Sequence, residues 1–168
     1  MPSGPPWHDD GMQEPHITRL RSEDAASARV MFAMMAEVFG EDSEPLGDHY
    51  LTELLGRESF WAYAAFAGSS IVGGLTAHTL PMTRSPSAEV FIYDLAVRPD
   101  YQRRGVGSRL LRELRTATAH AGIRDVFVPA DEEDEHAIDF YRALGGVPSP
   151  VTFFTFAARQ DAGPRDRA

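Results

Sequence analysis

Val90-Phe91-Ile92-Tyr93-Asp94-Leu95-Ala96-Val97-Arg98-Pro99-Asp100-Tyr101-Gln102-Arg103-Arg104-Gly105-Val106-Gly107-Ser108 is a near-continuous apolar run that passes through a short basic glycine loop into a patterned helix. Two glycines one residue apart at a helix start let the backbone turn sharply and aim several N–H groups at one point. The unpaired N–H groups of the first turn and the positive end of the helix dipole favour an anion there, and Arg103 and Arg104 add charge. A lone G-x-G is more often a plain turn. Here the strand before it and the helix after it favour a site for a pyrophosphate. A Walker loop would need Gly-Lys-Ser/Thr and a dinucleotide fingerprint a third glycine; Gly107-Ser108-Arg109-Leu110 offers neither.

Working outward, 168 residues suit one domain with a full core, and 43% apolar with 24% charged residues is an ordinary globular balance. Pro2, Pro5, Pro6 and Pro15 with Gly4 and Gly11, and the small polar residues near the C-terminus, read as flexible tails. The expected organisation is therefore a tail over 1–15, a single domain over 16–157 and a tail over 158–168. No secretory pattern and no membrane-length apolar stretch is present, which predicts a cytoplasmic protein without a membrane partner. A formal charge of −9 argues against nucleic acid and favours cationic partners. The absence of cysteine excludes a covalent thiol relay and a thiolate zinc site, and the six histidines show no metal-binding spacing, so no metal is expected.

Periodicity predicts a strand at 16–21, then a helix capped by Ser22 with Ala26, Val30, Met34 or Met35 and Val38 on one face, stopped by Gly40. A short helix follows from Asp48 to Gly56. A hairpin joins 60–67 to 71–80 around Gly68-Ser69, and a third strand covers 87–97. The helix 106–121 buries Val106, Leu110, Leu111, Leu114, Ala117 and Ala121; then come a strand at 124–129, a helix at 133–144 and a final strand or strands at 147–156.

Gln102-Arg103-Arg104-Gly105-Val106-Gly107 fits the Q/R-x-x-G-x-G/A signature of the GCN5-related N-acetyltransferases. Asp134 to Gly146 resembles that superfamily's N-x-x-A-x-x-F-Y-x-x-x-G-F segment, departing from it at Asp134, usually Asn, and at Gly146, usually Phe. Over roughly residues 48 to 156 the chain is most similar to the aminoglycoside 3-N-acetyltransferases of the gentamicin-resistance type. Tyr50-Leu51, Leu54-Leu55, Ala64-Ala65-Phe66, Ile92 to Val97 and the acidic segment opening at Ala130-Asp131 carry that likeness. The resemblance implies a mixed α/β (α+β) fold: a mostly antiparallel sheet, splayed between the strands ending near Val97 and Val128 and flanked by helices. It also implies acetyl-CoA as co-substrate, held by Gln102, Arg103, Arg104, Gly105, Val106, Gly107 and Ser108 at the pyrophosphate and by Leu95, Ala96 and Val97 along the pantetheine arm. A homodimer is implied too, with Val151 to Phe154 as a candidate edge.

Acetyl transfer to an amine needs a base for the ammonium and a proton donor for the departing thiolate. Asp94, an acid inside an apolar strand, is the first candidate base, with a purely structural carboxylate as the competing reading. Glu89 is the second; strict alternation puts it on the opposite face from Asp94, and a one-residue bulge between them would bring both to one side. Tyr141 resembles the superfamily's general acid beside the thioester sulfur and acetyl-CoA, against a packing role on its helix. Asp131, Glu132, Glu133 and Asp134 are candidate contacts for a polycationic amine. Acids also suit a helix start, which is the blander reading.

Three functions compete on these residues. The first is acetylation of an aminoglycoside amino group by direct transfer in a ternary complex. The second is acetylation of another cationic amine: a polyamine, an amino-acid derivative, a protein N-terminus or a lysine. The third is a non-catalytic acetyl-CoA-binding module.

Overall fold

The structure is a computed structural model that describes residues 14–156; the two expected tails fall outside these residues, apart from Glu14 and Pro15. The chain divides into two units, Met1–Pro129 and Ala130–Ala168. The first contains β1 (His16–Arg19), a 3-10 turn (Ser22–Asp24), α1 (Ala25–Phe39), α2 (Asp48–Leu55), β2 (Phe60–Ala67), β3 (Ser70–Pro81), β4 (Ala88–Val97), a second 3-10 turn (Pro99–Tyr101), α3 (Val106–His120) and β5 (Asp125–Phe127). Strands lie in the order β1-β2-β3-β4-β5, all antiparallel except the parallel pair β4–β5. This is the mixed, mostly antiparallel sheet that the sequence implies.

β2 and β3 are almost uniformly apolar because helices cover both faces of the sheet centre. Gly73 and Gly74 let a helix approach from each side: a Cβ on Gly74 would stand 2.7 Å from Met31 Cγ and Met35 Sδ, and one on Gly73 would stand 3.2 Å from Val106 Cγ1 and 3.3 Å from Leu110 Cδ1. Met31, Leu75, Leu110 and Leu114 are fully buried, each full burial being worth about 1.5–3 kcal/mol. The Gly74 gap also explains a difference from the expected helix face. α1 buries Ala28, Met31, Met34 and Met35, and leaves Val30 56% exposed. Flexible thioethers fill the hollow over a glycine better than a β-branched valine does.

The β3–β4 ladder is irregular at one place. Thr76 pairs with Asp94 but Ala77 pairs with Ile92, so Tyr93 is an extra residue, a bulge. Paired residues share a face, so Glu89, Phe91, Asp94 and Ala96 lie on the α1 side with His78, Thr76 and Gly74, while Val90, Ile92 and Leu95 face the α3 side. The β4–β5 ladder covers only Glu89–Phe91 against Asp125–Phe127. β5 is thus shorter than the 124–129 strand expected, and past the bulge β4 runs to Val97 without it. Among the described residues no helix is long and apolar enough to cross a membrane.

The second unit contains α4 (Glu135–Ala143), two residues shorter at its start than the helix expected from 133. Residues 147–156, expected as strand, form none: their alternation suits a ladder, but no partner strand pairs with them, and Val147, Val151, Phe153, Phe154 and Phe156 are exposed.

Candidate functional site

The strand end, the glycine loop and the start of α3 form one rigid turn. Tyr101 N–H donates to Arg98 O at 2.9 Å, and Arg98 N–H donates to Val72 O at 2.9 Å, which ties the turn to the sheet. The Gln102 amide, expected at the cofactor, braces the loop: its Nε2 donates to Val97 O at 2.9 Å. Arg103 and Gly105 both adopt positive φ, 61° and 78°. For Arg103 this is an uncommon backbone state, of the kind that collects at ligand-binding turns. The first helical bond runs from Arg109 N–H to Gly105 O at 3.0 Å. Val106, Gly107 and Ser108 N–H therefore precede the ladder with no intrahelical acceptor, and no side chain caps them. A Cβ at Gly105 would meet nothing within 4 Å, so the space over the loop is open. Arg98 and Arg104 sit 5.8 and 5.5 Å from the Tyr101 ring centroid. A backbone cradle, a helix dipole and Arg103 and Arg104 within two residues fit a diphosphate. Past β5, the edge of β4 at Leu95, Ala96 and Val97 pairs with no further strand among the described residues, and its Val97 O accepts from the Gln102 amide.

Asp94 is half-buried beside this edge, and its carboxyl is pushed above the usual carboxylate range, mainly by desolvation and then by the charge of Glu41. Thr76, opposite it in the ladder, pulls the other way. The Thr76 hydroxyl stops short of a well-formed hydrogen bond and is a buried side-chain oxygen without a partner. A carboxylate held in this way is a stronger base than an exposed one. Glu89 shares the face because of the bulge, but four ladder steps put it about 13 Å along the strand, beyond Phe91. The two acids therefore do not converge on one proton.

In the second unit the acidic run has an architecture of its own. Asp131 Oδ1 accepts from Glu133 N–H at 3.2 Å, and Asp134 Oδ1 accepts from Ala137 N–H at 2.9 Å, capping α4. The departure from Asn at Asp134 is thus conservative, since either residue caps. Glu132 and Glu133 are exposed. At the other end of α4, Gly145 N–H donates to Arg142 O and Gly146 N–H to Tyr141 O, a Schellman turn. A Cβ at Gly146 would stand 2.9 Å from Tyr141 O, which accounts for glycine where the resemblance leads one to expect Phe. The Tyr141 ring packs edge-on against Phe140 at 5.0 Å. Burial, and after it the charge of Asp134, pushes the phenol up to about 12, so it stays protonated at every physiological pH.

Sequence reasoning passed over Glu41 as a site residue. It follows the Gly40 stop of α1, and with Phe32, Met35, Ala36, Phe39 and Asp94 it lines a pocket. The available signal was the stripe at 32, 35, 36 and 39, which looks like ordinary core until the sheet is in place.

Residues 26–145 match the acetyltransferase (GNAT) family. The chain is similar to an aminoglycoside acetyltransferase, HMB0005, from an uncultured soil metagenomic sample, with 31% identity over 88% of this chain and 100% of that one and a TM-score of 0.83. It is also similar to the aminoglycoside acetyltransferase meta-AAC0020, again from an uncultured soil metagenomic sample, in its crystal structure with sisomicin: 29% identity over 86% of this chain and 97% of that one, TM-score 0.82. Among curated proteins, N-alpha-acetyltransferase RimI of Mycobacterium tuberculosis is 32% identical over 98 residues, 58% of this chain. That match spans 51%, about half, of the relative's length.

Proposed function

The chain belongs to the acetyltransferase (GNAT) family, and from that premise we propose that it transfers the acetyl group of acetyl-CoA to an amino group of an aminoglycoside. The position is the 3-N of a gentamicin-like drug, and the consequence is resistance. The observation that carries this reading is an anion cradle at 103–108 on the same strand-loop-helix unit as a desolvated carboxylate, Asp94. Likeness to two aminoglycoside acetyltransferases supports the acceptor class.

Acetyl-CoA supplies an activated acyl carbon and a thiolate leaving group. Val106, Gly107 and Ser108 N–H with Arg103 and Arg104 bind the pyrophosphate, Gln102 braces their loop, and the free edge at Leu95, Ala96 and Val97 aligns the pantetheine arm. Asp94 accepts the proton of the ammonium so that a neutral amine attacks. Tyr141 takes the acid role that the family resemblance gives it. With its pKa near 12, it donates a hydrogen bond to developing negative charge rather than surrendering its proton fully. Asp131, Glu132, Glu133 and Asp134 attract the remaining ammonium groups. Transfer is direct, in a ternary complex, since the chain has no cysteine to carry an acyl group. One domain over 16–157, cytoplasmic and homodimeric, completes the reading.

A purified-protein assay of CoA thiol release with gentamicin, spermidine and a basic peptide tests it, with NMR of the product locating the acetyl group. Release with gentamicin and a 3-N product is expected. Release only with the peptide would favour the second reading, acetylation of a protein N-terminus, which the likeness to RimI supports. Silence with every amine would leave a binding module.

A further inference from the structure

At the far edge of the sheet from β4, two arginines share one face without a counter-charge. The Arg19 Cζ lies 3.9 Å from the centroid of the Trp61 ring, and Arg19 is the ladder partner of Tyr63 on the α3 side of β1. Alternation puts Arg21 on the same face. Desolvation, and after it the charge of Arg21, lowers the Arg19 pKa from its ordinary value, so the two guanidinium groups act on each other. Repulsion of this kind is usually relieved by an acid, and with 25 acidic residues against 16 basic ones the chain has acids to spare. Arg29, Arg57, Arg98 and Arg109 each have one, at Asp48, Glu53, Asp100 and Glu14. Arg19 and Arg21 form no ion pair among the described residues. Asp24 accepts the Arg21 main-chain N–H at 2.8 Å without pairing with its guanidinium, and the charge of Glu113, on α3, acts on the Tyr63 phenol.

An arginine stacked on an indole is often only a cover for the ring. Two further observations point to a ligand. A stacked guanidinium gives its faces to the ring and keeps its N–H groups in the plane, free to grip an anion; those of Arg19 have no acceptor among the described residues. Tyr63 is 5% exposed, and its hydroxyl has no hydrogen-bond partner among the described residues; the charges that act on it are those of Arg19, Glu113 and Arg21. Trp61, by contrast, is satisfied, its Nε1 donating to Thr79 Oγ1 at 2.8 Å. A buried phenol beside two unpaired guanidinium groups makes a set of donors that lacks its acceptor.

We propose that Arg19, Arg21 and Tyr63 form a binding site for a phosphate group, free or as a monoester, separate from the glycine loop. Donors from three side chains suit the three acceptor oxygens of a phosphate better than the two of a carboxylate. The site is independent of acetyl transfer: β1 and β4 are three strand spacings apart, about 14 Å, and Asp94 lies on the other face of the sheet. The bound anion removes the repulsion between the two cations, while Glu113 opposes it and so limits its affinity.

Binding is read by NMR on the full chain in the Trp61 indole N–H signal. Inorganic phosphate and glycerol 3-phosphate are titrated separately, against sodium chloride of equal ionic strength. Both phosphates are expected to move the signal saturably and chloride to leave it in place; the tighter of the two identifies the source as free phosphate or monoester. Arg21→Gln, a change at an exposed position, is expected to weaken binding about fivefold, and Arg19→Lys, which keeps the charge and loses the planar fork, by about the same factor. Glu113→Gln is expected to tighten it about twofold. Gly105→Val, which disturbs the glycine loop, should bind phosphate at this site as the wild type does. A response that chloride reproduces, that Arg21→Gln leaves unchanged or that Gly105→Val abolishes overturns the proposal.

Discussion

The loop at 98–108 and the segment at 130–146 are assigned the two ends of one reaction, and they are built from opposite materials. In the loop, the candidate ligand groups are main-chain N–H donors held by conformation: Gly105 at φ 78°, Arg103 at φ 61° and a Gln102 brace. In the acidic segment, the candidate groups are side chains, and half of them already serve the backbone, since Asp131 and Asp134 each accept an N–H of their own turn. Five adjacent acids, counted as charge, suggest one uniform magnet for cations; the structure divides them into two that shape the helix start and others that stand in solvent. A backbone site is therefore vulnerable to changes of conformation and a side-chain site to changes of charge.

The largest effect expected lies in neither region but at Asp94, the base of the proposed reaction. Asp94→Asn should lower turnover by about 10²–10⁴-fold if it is the base. In the wild type, the acid limb of kcat/KM should sit above the range of an ordinary aspartate and vanish in the variant. Stability should move the other way. A carboxyl whose folded-state pKa is raised contributes stability that is present at low pH and lost as pH rises through that pKa. The melting temperature of Asp94→Asn should then equal or exceed that of the wild type above this pH, with the gap closing on acidification. A lower melting temperature at pH 8 would make Asp94 structural.

Next comes conformation. Gly105→Val should weaken acetyl-CoA binding by about 10–100-fold, because a β-branched residue at positive φ costs about 1–3 kcal/mol, while circular dichroism stays unchanged; calorimetric binding equal to wild type would dissolve the cradle. Tyr141→Phe should cost about tenfold in turnover, the value of a hydrogen bond to developing charge, with acetyl-CoA affinity preserved. Unaltered turnover would remove Tyr141 from the acid role.

Smaller effects test the division of the acids. Asp134→Ala should lose about 1 kcal/mol of stability and Asp134→Asn almost none, measured by urea unfolding; equal losses would mean that charge rather than capping matters there. Glu132→Gln with Glu133→Gln should raise the apparent acceptor KM about two- to fivefold and flatten its salt dependence with no change in stability. Unmoved kinetics would return both residues to plain solvated surface.

Much of the fold was legible because its signals are local. The Gly40 stop, the Gly68-Ser69 hairpin and the amphipathic face at Val106, Leu110 and Leu114 all stand where periodicity puts them. Misreadings came where a neighbour decides. Val30 loses to Met31 because of Gly74 on another strand, and residues 147–156 alternate correctly yet have no ladder to join. The same division holds for the site. The glycine loop is visible because backbone geometry needs particular residues in a row, whereas Glu41 meets Asp94 across 53 positions of chain, and no spacing rule reaches that far. The bulge was foreseeable only as an option, since nothing in Ile92-Tyr93-Asp94 marks which residue is surplus.

That surplus residue has a consequence for how the molecule tolerates change. Tyr93 is 63% exposed, and its ring meets those of His78 and Phe91, at 5.9 and 6.0 Å, on the α1 side of the sheet. The bend it imposes comes two residues after β5 leaves β4, where the strand edge becomes free. Replacing the Tyr93 side chain keeps the extra residue. Deleting it preserves the facing of every other residue but lets β4 run straight. The bulge is thus a matter of count and not of identity: substitution at 93 passes over it, whereas loss of one residue removes it.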